Sequence, residues 1–216
     1  WADGTAFDAE KGWELVKQYV SDCVIACKAN DQICALYYIE ESRKAWLDTH
    51  DRKCDWLQGL IDLAVEQIGQ ECVGRIWKLL MEPMFKSYDK YDVDHAPWYK
   101  SADMLLFVTA EALRGHLSGP NRRGSIEYVE DIGRKGFRFN PCGSGGRNFE
   151  KNNNMTFGRT SAAYEWAWNI EGVCFYCAHC CALSHLNPIE KFGYPARVIE
   201  PPFKNKSGQR NQCTWW

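Results

Sequence analysis

The sequence predicts an α+β fold, with a helical N-terminal half packed on a small mixed or antiparallel C-terminal sheet. Three observations lead there. Apolar residues recur at three-and-four spacing through roughly the first half, the stretch GHLSGPNRRGS interrupts that pattern with glycines and a proline, and short alternating runs follow it.

Between Phe7 and Ala29 the apolar positions Trp13, Val16, Val20, Cys23, Val24 and Cys27 share one helical face. Asn30 offers an N-cap for a second helix through Ile33, Leu36, Tyr37 and Trp46. A third runs from about Arg52 to Met81, with Pro83 as its stop. The segment Ser87 to Lys100, SYDKYDVDHAPWYK, reads as a solvated loop; its acidic residues lack the glycine and terminal glutamate of a calcium loop. A fourth helix is expected over Ala102–His116, and an internal boundary near Ser118–Ser125. The organisation is then a helical lobe over 1–120 and a cysteine-rich α+β lobe over 121–216, within a length that one domain can hold. In the second lobe, SIEYVEDIGRK reads as a short helix. GFRFNPC, GVCFYC, YPARVIEPP and QCTWW read as extended, and the Asn152–Asn154 triplet as a solvated loop.

Lysine and arginine number 26 against 28 aspartates and glutamates, a formal net charge of -2, so no basic field is available to collect nucleic-acid phosphates. No apolar run approaches the roughly 20 residues of a membrane span. Eleven cysteines, an odd count in a chain with a sizeable core, fit reduced thiols in a cytoplasm better than a disulfide scaffold. Cys23, Cys27, Cys34, Cys54 and Cys72 sit at helical positions where a small hydrophobe suffices.

The later cysteines need another explanation. Cys142 ends an extended run and opens PCGSGGR, where the backbone of Gly143, Ser144, Gly145 and Gly146 can turn its N–H groups toward a carboxylate while Arg147 adds a planar fork of donors. Only four residues separate Cys142 from Arg147, one fewer than a cysteine phosphatase loop needs. In CFYCAHCC, Cys177, His179 and Cys180 have ligand types and spacing for zinc or iron, but no second, separated pair completes a shell. The same residues suit a thiol with a neighbouring acid–base group, or sulfur-rich packing; Cys174 is the one most suited to packing. Cys180 and Cys181 lie where the extended run gives way to a predicted helix, AHCCALSHL, with His185 on the helical face of Cys181; Cys142 or Cys180 is the candidate nucleophile or ligand, and His179 or His185 the candidate acid–base group. Trp166 and Trp168 adjoin this region and suit the wall of a small-molecule pocket or a core.

The order of these late features resembles the L-2-amino-thiazoline-4-carboxylic acid hydrolase-like family, in GFRFNPC, FYCAHCC and ARVIEPP followed by SGQRNQCTWW. The resemblance covers roughly the last 90 residues and departs from the family pattern in Cys180, Cys181, His185 and the glycine loop. It implies hydrolysis of a cyclic C–N bond in a small carboxylated, hence anionic, substrate, and site roles for Cys142, for Cys177 or Cys180, and for Cys213. The alternative is a non-enzymatic sensor or carrier whose cysteines hold zinc or an iron–sulfur cluster.

Overall fold

The computed structural model describes residues 9–85, 101–149 and 158–216. The loop expected over Ser87–Lys100 and the Asn152–Asn154 triplet lie outside them. The fold is α+β, with helices first and a small antiparallel sheet in the second half.

Helix α1 spans Ala9–Lys28 and α2 spans Gln32–Ile68. The chain turns between them at Asn30, whose φ is 56°, and the cap of α2 is Asp31 rather than Asn30: its carboxylate accepts the Cys34 N–H at 3.0 Å. The two helices run antiparallel, since Trp13 meets Trp46, Tyr19 meets Tyr38 and the Cys23 thiol reaches the Ala35 carbonyl. Gly12 lets Thr49 approach its backbone where any side chain would collide. The predicted stripe on α1 is largely solvent-facing, with Trp13, Val20 and Val24 exposed.

No break occurs near Arg52. The stop falls at Gly69, which takes φ 86° and donates to the Val65 carbonyl, and α3 then runs Cys72–Phe85 with Pro83 inside its last turn. Proline near a helix end removes one bond without unwinding the turns before it, so it did not act as the stop. The chain forms two compact units, Trp1–Trp56 and Leu57–Trp216, divided within α2. Among the described residues no helix is long and apolar enough to cross a membrane.

In the second unit α4 spans Ala102–Leu113, capped by Ser101, and a 3-10 turn over Arg114–His116 extends it, as expected. SIEYVEDIGRK is not helical. Strands β1 (Glu127–Asp131) and β2 (Arg134–Arg138) form a hairpin, turned by Ile132 and by Gly133 at φ 77°. That glycine favours a tight turn, and the core already closed by Phe137 gives β2 a buried end against which β1 can pair. Strands β3 (Ile199–Glu200) and β6 (Thr214–Trp215) complete a sheet of order β1-β2-β6-β3, all antiparallel, and β4 (Phe203–Lys204) pairs with β5 (Arg210–Asn211). Trp215 lies opposite both Phe137 and Ile199, and Ala110, Phe139 and Cys213 close the core around it.

GVCFYC is extended only as far as Cys174, which bridges Arg159. A 3-10 turn over Phe175–Cys177 follows, then α5 (Ala178–Cys181), a π-helical turn over Ala182–Leu186 and α6 (Asn187–Phe192). The early end of the extended run has a local cause in packing: the Trp77 indole N–H donates to the Phe175 carbonyl at 2.7 Å, and the Tyr176 N–H donates to Gln58 at 2.9 Å. Both backbone groups are thereby satisfied by helices α3 and α2 instead of a neighbouring strand.

Candidate functional site

Helix α2 sets the position of the cysteine segment through Gln58, which is fully buried. Its carbonyl oxygen accepts from both the Tyr176 N–H and, at 3.1 Å, the Cys174 thiol, while its amide donates to Asp62 at 2.8 Å. Asp62 in turn accepts the Gly158 N–H at 3.1 Å. Burial raises the Asp62 pKa, against the lowering effect of these donors.

From that anchor the segment presents Cys177, His179 and Cys180 to one small cavity of about 80 Å³. Cys142 and Cys213 line it too, so thiols from three separate parts of the chain converge there. Leu113, Phe139, Trp168, Leu183, Ile199 and Trp215 supply apolar walls. Gly145 is also in the wall, pressed so closely by the Cys177 sulfur that a Cβ would collide.

Within the cavity His179 is fixed in one tautomer. Its Nδ1–H donates to the Tyr176 carbonyl at 2.6 Å, which leaves the Nε2 lone pair facing the Cys180 sulfur at 3.3 Å. Burial lowers the His179 pKa, so the ring is neutral and can accept a proton. Burial likewise raises the Cys180 pKa well above the usual thiol value, with Cys142 and Cys181 adding to it. Cys213 is raised by burial and then by Cys142 and Cys180, although the Trp215 N–H donates to its sulfur at 3.2 Å. Cys177 is raised first by its bond to Cys174, then by burial and by Cys142 and Cys180. These thiols are protonated at neutral pH. No disulfide joins any of the eleven cysteines.

A second imidazole, His116, faces the same cavity with its Nδ1 2.6 Å from the buried Ser144 hydroxyl. The PCGSG turn is clamped to the end of α4 to make that pair. The Gly143 N–H donates to Ser118 at 3.2 Å, and Arg122 donates to both the Leu117 and Gly143 carbonyls. Gly143 is required there because the His116 carbonyl occupies the space of its missing Cβ.

A larger cavity of about 500 Å³ adjoins the first, sharing Phe139, Cys142, Pro202 and Cys213 as a common wall. Its other walls carry Arg138, Arg210, Glu200 and Asn211 beside Pro141, Phe149 and Phe203. Gly146 borders it. Among the described residues no three histidines, cysteines or acidic groups stand close enough to hold a single metal ion, including the expected set of Cys177, His179 and Cys180.

The structure therefore gathers Cys142, Ser144, Gly145, Trp168, Cys177, His179 and Cys180 around the smaller cavity. Arg147, in the 3-10 turn Gly145–Phe149, is absent from the walls of either cavity. Trp166 is likewise elsewhere, stacked on Tyr164 at 4.7 Å and packed over Gly74. His185 is occupied structurally: its Nε2 accepts the Ile199 N–H at 3.0 Å and so fixes the start of β3. Sequence reasoning missed His116, Gln58, Arg138 and Arg210. Compared with family models, curated proteins and solved structures, the chain matches none.

Proposed function

We propose that the chain is a small-molecule hydrolase that opens a cyclic C–N bond of a carboxylated heterocycle, bound in the larger cavity against its thiol wall. One observation carries the reading. A cavity with the volume of a small-molecule pocket, about 500 Å³, has two arginines on its walls and shares Cys142 and Cys213 with the cavity that holds the Cys180–His179 pair. Arg138 and Arg210 replace Arg147 as the groups suited to a carboxylate. His179 is the acid–base group, because its fixed Nε2 lone pair is free of a proton at neutral pH.

A thiol serves this reaction as nucleophile. As nucleophile, Cys142 or Cys180 adds through sulfur to the ring carbon and its proton passes to His179. The ring C–N bond then breaks, with the nitrogen taking that proton, and water cleaves the new S–C bond to restore the thiol. One water is consumed overall. Reduced thiols suit a cytoplasmic protein, and the reading involves no nucleic acid or membrane.

The test uses 2-amino-thiazoline-4-carboxylate and protein purified without oxygen, with the product followed by mass spectrometry as a gain of one water. Arg210→Ala is expected to raise KM by about tenfold, the share of one charge-assisted bond at an exposed position. Absence of turnover in the wild-type protein would sink the hydrolytic reading.

A non-enzymatic metal carrier or sensor is favoured by a different observation, the four cysteines Cys142, Cys177, Cys180 and Cys213 that line the smaller cavity. Stoichiometric metal without turnover supports that second reading.

A further inference from the structure

We infer that Cys142, Cys177, Cys180 and Cys213 are the thiolate ligands of an iron–sulfur cluster seated in the smaller cavity. The inference rests on the second, metal-binding reading above and replaces the nucleophilic role of Cys142 and Cys180.

Four thiols from three segments line one space, which matches the four-cysteine ligation of [2Fe–2S] and [4Fe–4S] clusters. Cys177 and Cys180 form a C-x2-C pair, while Cys142 follows β2 and Cys213 precedes β6, its paired neighbour in the sheet.

Size and spacing select a cluster over a single ion. A mononuclear zinc shell needs sulfurs about 2.3 Å from one point, and no three ligating groups among the described residues are placed to hold one ion. A cluster puts its own iron and sulfide between the cysteines, so its ligands stand farther apart. The space of about 80 Å³ is several times the roughly 10–15 Å³ that one water requires by the same measure.

The surroundings also suit a cluster. Phe139, Leu183, Ile199 and Trp215 give it apolar walls, and the Trp215 N–H donates to the Cys213 sulfur, the kind of hydrogen bond that tunes a cluster's potential. Cys181 is adjacent in sequence yet turned away, with its thiol bonded to the Glu165 carbonyl at 3.6 Å.

Binding is ligand exchange. Each cysteine S–H bond would break as its sulfur displaces a water from iron, releasing four protons and four waters to solvent in all, and the cluster's oxidation state does not change. With the cluster in place these cysteines would be its ligands, and Cys142 and Cys213 border the larger cavity as well.

The experiment measures iron and acid-labile sulfide per chain, with visible absorption, on the full chain purified without oxygen and again after anaerobic treatment with iron salt and sulfide. Two or four irons with matching sulfide are expected. Cys142→Ser and Cys213→Ser should lose most of the iron and the visible band, and Cys181→Ser should keep both. Wild-type protein that retains no iron or a single ion, or a Cys181→Ser variant that loses as much as Cys142→Ser, overturns the proposal. Turnover of 2-amino-thiazoline-4-carboxylate without iron would remove the cluster and leave the hydrolase; iron without turnover would do the reverse.

Discussion

Replacing Gln58 by alanine should destabilise the second unit and loosen the site together, because one buried side chain serves both. Gln58 is fully buried and accepts the Tyr176 N–H at 2.9 Å and the Cys174 thiol at 3.1 Å. Truncation leaves the Tyr176 N–H without its acceptor, a loss of about 1–3 kcal/mol for a buried group, and opens a small cavity worth about 1 kcal/mol more. The sum, about 2–4 kcal/mol, corresponds to a drop in melting temperature of roughly 4–16 °C at this chain length. Urea unfolding followed by circular dichroism reads the stability. A second effect follows from geometry: the Tyr176 carbonyl orients His179, so freeing Tyr176 should alter the histidine's NMR titration. A change below about 0.5 kcal/mol, the range of ordinary surface substitutions, would refute the reasoning, since the buried bonds would then contribute nothing.

Trp77→Phe should cost about 1–3 kcal/mol, because it removes the indole donor to the buried Phe175 carbonyl while keeping most of the ring, and urea midpoints would show it. The pKa values of His179 and His185 are both lowered by burial, so unfolded protein binds more protons below about pH 6.5. Their contribution to stability is complete above that pH and is lost as pH falls through the depressed folded values; unfolding midpoints at pH 7 and 5 should differ accordingly, and the difference should shrink in His179→Gln. Iodoacetamide at neutral pH should label exposed Cys27 well before Cys177 and Cys213, whose thiols are buried, as peptide mass spectrometry can check. Cys27→Ser should change stability by less than about 0.5 kcal/mol and leave the cavities unaffected.

The sequence held the site's near neighbours and hid its distant ones. Cys177, His179 and Cys180 were legible because their spacing is local, and Cys142 and Cys213 because each ends or opens an extended run. The helical first half was legible from its periodicity. Arg138 and Arg210 were not, because they border the larger cavity only once β2 and β5 are in place. Gln58 bonds to Tyr176 across 118 residues, a separation no local pattern records. Arg147 looked suited to an anion from its place after four small residues, yet the 3-10 turn that begins at Gly145 carries it off both cavity walls. The hairpin at Glu127–Arg138 was missed for a related reason: EYVED carries helix-compatible acids, and pairing with a buried β2 overrides that preference.

The most direct test of the two-cavity site is hydrolysis of 2-amino-thiazoline-4-carboxylate by anaerobically purified wild-type protein, Cys142→Ser and Cys181→Ser. Cys142 borders both cavities, whether as nucleophile or as ligand, whereas Cys181 borders neither. Loss of at least about 100-fold in kcat/KM for Cys142→Ser, with Cys181→Ser close to wild type, is the predicted result. Full activity in Cys142→Ser would contradict the account.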